Sequence, residues 1–381
     1  MHRRKILWLA SWYPNRNDRF DGDFIQRHAR AAAIVHDIHV IYVTEAAAGS
    51  DEGEDIHRAT GLTEQIIYTN TTQGLFVRVR KALRWKNRYQ QAVAEYVRTH
   101  GVPDAVHVHV PWKAGLIALW IKQKWDLPYI VSEHWGFYSG LESATGKDQP
   151  SWMMRLLRQV YASAAKVVTV SDYLSGLLQR TVGRSADVVI PNVVDTTLFF
   201  PGEKKYERFT FIHVSNMMEV KNVGGLLEAF ARVVRSDASA QLVLVGNRDA
   251  KYVEQARSLG LLNGSVFFRG EIPYADVAAE VRRAHALVVP SLSETFSCVT
   301  AEALCCGLPV VASAAGALPE LVNESNGLLV KPGDVEDLAL ALEAMIKDYS
   351  KFDRAALAAA AARKWSYAAV SDAFGELYAD L

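Results

Sequence analysis

Residues 287–311 read LVVPSLSETFSCVTAEALCCGLPVV, and this stretch decides the fold. Leu287-Val288-Val289 is a short apolar run ended by Pro290, the pattern of a strand buried on both faces of a parallel sheet. A polar turn follows, and the spacing then predicts a helix from about Ser297 to Cys306, stopped by Gly307 and Pro309. Val310-Val311 begins the next strand. Two carboxylates stand in this strand–turn–helix unit, Glu294 in the turn and Glu302 in the helix. Open α/β sheets bind ligands at the carboxyl ends of their strands, and a helix N-terminus favours anions. By spacing alone the two glutamates read as a turn residue and a solvated helix residue.

Outward from this stretch, the 381 residues are too many for one ordinary domain, and two domains are expected. Half of the residues are hydrophobic and 22% are charged, enough apolar material for two cores. Lys plus Arg equals Asp plus Glu at 42 each, so no global field argues for nucleic acid. Met1 to Lys5 before Ile6–Ala10 superficially suggests a signal peptide, but the apolar run is short and Trp12-Tyr13-Pro14 follows, so a first strand is expected. No stretch approaches bilayer-spanning length. Cys298, Cys305 and Cys306 are clustered in one helix, which suits reduced thiols rather than a disulfide framework or a metal site. A soluble cytoplasmic protein is the expectation.

The first half alternates strand-like runs, Ile6–Ala10, His39–Val43, Ala105–Val110, Tyr129–Val131, Val167–Val170 and Val188–Ile190, with helical stretches, the pattern of a doubly wound sheet. No GxGxxG follows the first strand, against a nicotinamide dehydrogenase. Gly22, in the loop before the expected helix from Gln26, reads on its own as a turn glycine. Residues 45–65, acidic and Ala-rich, are expected to form a flexible loop. The basic run Arg78, Arg80, Lys81, Arg84, Lys86 and Arg88, interleaved with Phe76, Leu83, Trp85 and Tyr89, reads as a solvated helix face or as a surface for anionic membrane. His107 and His109 share one face of a strand, but no further metal ligand stands at a telling spacing, so structural histidines are expected. His134, in Ser132-Glu133-His134-Trp135-Gly136, follows a strand and is the site candidate of this half.

Pro191 to Arg208 reads as an interdomain linker, after which the α/β rhythm restarts at Phe209–Val214. Lys221 stands in the loop before the helix Val223–Val233, where a cation can neutralise a diphosphate. The last stretch, from Trp365 to Leu381, carries Val370, Phe374, Leu377, Tyr378 and Leu381 at helical spacing.

Pro290-Ser291-Leu292-x-Glu294-x-Phe296, Glu302-Ala303-Leu304 and Gly307-x-Pro309-Val310-Val311 together closely resemble the donor-site motif of the retaining glycosyltransferases of family 4, also described as glycosyl transferases group 1. The resemblance is firm over most of the C-terminal half and looser over the N-terminal half. It implies a GT-B fold: two Rossmann-like doubly wound α/β domains facing across a cleft, with a C-terminal helix crossing back onto the first. The boundaries expected are 1–195 for an acceptor-side domain, 196–362 for a nucleotide-sugar domain and 363–381 for that helix.

The resemblance further implies transfer of a hexose from a nucleotide diphosphate sugar to an acceptor hydroxyl, with retention and without cofactor or metal. Glu294 would contact the donor sugar, Glu302 the ribose, Lys221 the diphosphate, and His134 the sugar or acceptor. The donor-binding set it implies is Gly22, Asn216, Lys221, Glu294, Thr295, Phe296, Ser297, Cys298 and Glu302. Its commonest setting is cell-envelope or exopolysaccharide assembly, with a glycan or lipid-linked acceptor and possible peripheral contact with the inner membrane. This sequence departs from the family at Ser215 and Asn216, where a glycine and an arginine usually precede the lysine. That departure is the support for an alternative, an inactive homologue acting as a binding subunit. A nucleotide-sugar epimerase is the other alternative.

Overall fold

A computed structural model describes residues 3–47, 52–70, 76–139, 150–202 and 205–380. The chain forms two compact units. Among the described residues, the first takes those of Met1–Tyr138, Lys147–Val193 and Tyr367–Leu381, and the second those of Ser139–Gly146 and Val194–Ser366.

The first unit contains β1 (Lys5–Ala10), α1 (Asp23–Ala32), β2 (Asp37–Glu45), β3 (Gly53–Ala59), β4 (Leu62–Thr69), α2 (Val77–His100), β5 (Ala105–His109), α3 (Ala114–Trp125), β6 (Tyr129–Glu133), α4 (Ser151–Ser163), β7 (Lys166–Thr169), α5 (Asp172–Val182) and β8 (Val188–Val189). Its sheet runs β3-β4-β2-β1-β5-β6-β7-β8. All neighbours are parallel except the edge pair β3–β4. Ile6 to Leu9 are wholly buried, as a central strand covered on both faces requires.

The hairpin β3–β4 corrects the expectation of a flexible loop over 45–65, of which 48–51 lie outside the described residues. Leu62, Ile66 and Tyr68 alternate inward from β4, while β3 is mostly exposed, so the acidic composition marked a solvated edge strand.

The second unit contains β9 (Thr210–Ser215), α6 (Val223–Ser236), β10 (Gln241–Gly246), α7 (Ala250–Ser258), β11 (Val266–Gly270), α8 (Tyr274–Arg283), β12 (Ala286–Val289), α9 (Cys298–Cys305), β13 (Val310–Ser313), α10 (Leu318–Leu321), β14 (Gly327–Val330), α11 (Val335–Asp348) and α12 (Arg354–Trp365). Its sheet, β11-β10-β9-β12-β13-β14, is wholly parallel. Both units are Rossmann-like.

The last helix, α13 (Tyr367–Ala379), belongs to the first unit. Its buried stripe of Val370, Phe374, Leu377 and Tyr378 joins that unit's core. There Trp8 Nε1 donates to Tyr378 Oη at 3.0 Å, and the same hydroxyl lies 2.5 Å from His107 Nδ1.

In each sheet the strand order reverses once, between β1 and β5 and between β9 and β12. Such reversal points open a crevice at the carboxyl ends of the strands.

Candidate active site

In the second unit the reversal point sets the loop after β9 beside the loop after β12. Leu292 N–H donates to the Val220 carbonyl at 2.7 Å, which ties the two loops together. Lys221 Nζ then donates to Glu294 Oε1 at 2.8 Å, and Ser291 Oγ donates to the same oxygen at 2.8 Å. Glu294 is only 8% exposed, so burial and two donors fix a carboxylate that the turn alone would leave mobile.

The Glu294 backbone is fixed from behind as well. Ala317 N–H donates to the Glu294 carbonyl at 2.9 Å. Gly316, at φ +61, lies so close that a Cβ there would stand 2.2 Å from that carbonyl oxygen.

Ser297, in left-handed backbone at φ 77, precedes α9, and its hydroxyl is 2.8 Å from Thr300 Oγ1. Glu302 lies on α9, 5% exposed, and accepts a 2.6 Å hydrogen bond from the Tyr274 hydroxyl at the start of α8. Thr295 and Cys298 are half-buried on either side of Phe296 and Ser297. Phe296 is buried edge-on to Trp365, so its side chain serves packing and what it can offer a ligand is backbone. Burial pushes the Cys305 thiol up to about 12, which keeps it protonated and inert.

Ser215 and Asn216 act within their own loop. Ser215 Oγ accepts from Met217 N–H at 3.0 Å and lies 2.8 Å from His213 Nε2, while exposed Asn216 accepts from Met218 N–H through Oδ1 at 3.3 Å. Of the named cations, Lys221 alone reaches Glu294.

In the first unit Gly22 has φ 62 and precedes α1, and a Cβ there would meet the Trp12 carbonyl carbon and oxygen at 2.6 Å. Left-handed backbone and packing against Trp12 require the glycine here. His134 Nε2 lies 3.3 Å from His109 Nδ1, and the His134 ring is 5.2 Å from that of His28. Burial, reinforced by His28, holds the His134 imidazole neutral with its pKa well below the usual range. A neutral imidazole can accept a proton at one nitrogen and donate from the other.

Three features, two in the first unit and one in the second, escaped the sequence reading. Glu133 is wholly buried and accepts from His134 N–H and Trp135 N–H, both at 2.9 Å, from Tyr138 at 2.8 Å and from Tyr161 at 2.5 Å. Burial raises its pKa. It thus anchors the loop that carries His134.

His28 is the second. It joins His109 and His134 so that one ligating atom of each lies within 4.8 Å of the others, a third imidazole that strand spacing did not reveal. His28 Nε2 donates to the Pro191 carbonyl at 2.9 Å. The third is Ser291, whose hydroxyl helps seat Glu294. Glu133 was readable only as a neighbour of His134, and His28 only as a helical histidine. His107, by contrast, is satisfied on both sides, by Tyr378 and by Ser132 Oγ at 2.7 Å.

The profile "Glycosyltransferase Family 4" matches residues 24–198, and "Glycosyl transferases group 1" matches 194–365. A D-inositol 3-phosphate glycosyltransferase of Rhodococcus opacus is 32% identical over 289 residues, 69% of this chain and 63% of that protein. The match thus spans less than two thirds of that relative's length. Among solved structures, sucrose-phosphate synthase from Thermosynechococcus elongatus aligns with a TM-score of 0.79 at 20% identity, covering 99% of each chain. Anabaena Alr3699/HepE in complex with UDP and glucose aligns with a TM-score of 0.74 at 20% identity, covering both chains fully. At that identity these structures speak to the fold alone. The two matched profiles, the two largely parallel sheets and the carboxylate-bearing loop after β12 agree, and the chain belongs to the GT-B glycosyltransferases of family 4.

Proposed function

We propose that the protein is a retaining hexosyltransferase that uses a nucleotide diphosphate sugar. The observation that carries this reading is the Lys221–Glu294 pair, held where two strand-end loops are tied together at the reversal point of the second sheet. A bound donor would place its diphosphate at Lys221 and at the amides near Ser297, drawing the ammonium from Glu294. Glu294 would then accept from the sugar hydroxyls, and Glu302 from the ribose. His134, neutral and buried, would hold a sugar or acceptor hydroxyl.

The chemical difficulty is charge on the departing diphosphate, and fixed positive groups answer it electrostatically. The transition state is oxocarbenium-like. The leaving phosphate takes the acceptor's proton, so no separate base, metal or cofactor is invoked.

Glycosyltransferases among the relatives, and a neighbour whose structure holds UDP and glucose, make uridine donors the first to test. The setting proposed is envelope or exopolysaccharide assembly on the cytoplasmic side. There α2, with Arg78, Arg80, Lys81 and Arg84 in its first turns and exposed Phe76 preceding it, would rest on anionic lipid. No helix among the described residues is long and apolar enough to cross a membrane.

The test is a thermal-shift screen with UDP, GDP, ADP and their hexose conjugates. A ligand at a hundred times its Kd adds about 2.7 kcal/mol. One nucleotide series should stabilise the protein and lose that effect in Glu302→Ala. Glu294→Ala should lose far more transfer than Glu302→Ala loses nucleotide affinity. Binding without turnover in the parent protein would favour the binding-subunit reading, and product formed without acceptor would favour an epimerase.

A further inference from the structure

Three imidazoles from three separate elements meet inside the first unit: His28 on α1, His109 at the end of β5 and His134 in the loop after β6. One ligating nitrogen of each lies within 4.8 Å of the others. β5 and β6 are adjacent parallel strands with His109 opposite Ser132, so strand pairing sets His109 beside the segment that carries His134. His109 Nδ1 and His134 Nε2 stand 3.3 Å apart. That is long for a hydrogen bond from N–H, which reaches about 3.2 Å. It matches the edge, about 3.4 Å, of a tetrahedron of nitrogens set about 2.0–2.1 Å from a zinc ion. The third nitrogen then has at most about 1.4 Å to close.

The surroundings hold these rings as supports hold metal ligands. His28 Nε2 donates to the Pro191 carbonyl at 2.9 Å, which fixes the ring and leaves Nδ1 with its lone pair. That Nδ1 is buried and has no hydrogen-bond partner among the described residues. A histidine that gives one N–H to a backbone carbonyl and turns its bare nitrogen inward has the disposition of a metal ligand. The Asn192 side chain, next along the chain from Pro191, hydrogen-bonds His134, and Glu133 holds the His134 backbone N–H. His107 is the contrast, since Tyr378 and Ser132 occupy both of its nitrogens. Apolar rings enclose the cluster: Trp8 at 3.9 Å from His109, Phe24 at 4.9 Å from His134 and Phe374 at 5.4 Å from His28. Arg27, beside His28 in the chain, is paired with Asp23 at 2.7 Å. Entry is past His134, which is 6% exposed against 1% for His28 and 0% for His109.

We propose that His28, His109 and His134 form a binding site for one divalent ion of a late first-row transition metal, of which zinc is the common example, with a fourth position left to water. Three imidazoles without a carboxylate suit such an ion and not Mg2+ or Ca2+, which take oxygen ligands. The ion has no part in the transfer reaction. It occupies the His134 nitrogen, and so it blocks transfer reversibly. That inhibition rests on the reading of His134 as the holder of a sugar or acceptor hydroxyl; the site itself does not.

The test uses the full chain, stripped of metal with a chelator, kept reduced and titrated with Co2+, whose absorption reports its ligands. One equivalent should bind saturably, with the strong visible bands of four-coordinate cobalt and without the near-ultraviolet band of thiolate ligation. Zn2+ should displace it, and Mg2+ should not. X-ray absorption of the zinc form should show about three imidazole nitrogens at about 2.0–2.1 Å and no sulfur at about 2.3 Å. His28→Gln keeps a donor for the Pro191 carbonyl and removes Nδ1; it should weaken binding about a hundredfold, the upper end of what losing even a ligand's support costs. His57→Ala, at an exposed position on β3, should change nothing. One equivalent of zinc should stop consumption of the nucleotide sugar, and a chelator should restore it. No saturable binding, sulfur in the shell, binding lost in His57→Ala or binding unchanged in a folded His28→Gln protein overturns the inference. The X-ray absorption of the parent protein decides the matter where His28→Gln does not fold. Zinc bound at the histidines with transfer undiminished overturns the inhibition. A metal-free protein with neither a nucleotide thermal shift nor turnover sinks the transferase reading, and the cobalt spectrum then judges the site alone.

Discussion

Gly316 touches Glu294 only through backbone, and Gly316→Ala therefore tests whether placement of that carboxylate controls turnover. A Cβ at 316 would stand 2.2 Å from the Glu294 carbonyl oxygen and 2.6 Å from its nitrogen, with φ at +61. Ordinary contact begins near 3.4 Å, so one of the two backbones must move by roughly 1 Å. The left-handed conformation itself costs about 1 kcal/mol in a residue bearing a Cβ. A misplacement of about 1 Å at a reacting group can lower the rate about a hundredfold. Gly260→Ala separates the two effects, because φ there is +71 with nothing within 4 Å of the new Cβ. Both variants should lose about 1 kcal/mol or more in urea unfolding. Only Gly316→Ala should lose about a hundredfold in kcat/KM for consumption of the nucleotide sugar. A folded Gly316→Ala protein turning over within about threefold of the parent would refute the reasoning.

Two further outcomes follow from buried groups in the first unit. Burial lowers His28 to about 4 and holds His107, His109 and His134 well below the usual range. The unfolded imidazoles bind protons near pH 6.5, so stability is present above that pH and falls as pH drops toward 4, by up to ~1.4 kcal/mol per pH unit for each histidine. Glu133, raised by burial, acts in the opposite sense, but it is one group against four. Melting curves from pH 7.5 to 4.5 should show Tm falling below about 6.5; a flat profile would contradict neutral buried imidazoles. Glu133→Gln places an amide donor among four donors and strands about two of them, at roughly 1–3 kcal/mol each. Its urea midpoint should fall accordingly, and an unchanged midpoint would show that the loop before Trp135 does not depend on the carboxylate.

The α/β alternation, the strand–turn–helix at 287–311 and the apolar stripe of the last helix are legible in the residues alone. Each rests on a local signal, a run of buried β-branched residues or a period of 3.6, that needs no partner to be read. The expected strands Ile6–Ala10 and Val310-Val311 and the expected helix from Val223 fall within a few residues of β1, β13 and α6. Local pattern failed at 45–65, where pairing with β2 through β4 decides that an acidic segment becomes a hairpin.

Tertiary structure alone decided what stands beside what. Lys221 meets Glu294 because β9 and β12 are neighbours in a sheet whose order is not the chain's order. His28 joins His109 and His134, and Tyr161 on α4 reaches Glu133 at the end of β6, through contacts distant in sequence. Composition and period are properties of neighbouring residues, whereas a site is made by the strand order that brings distant loops to one end of a sheet.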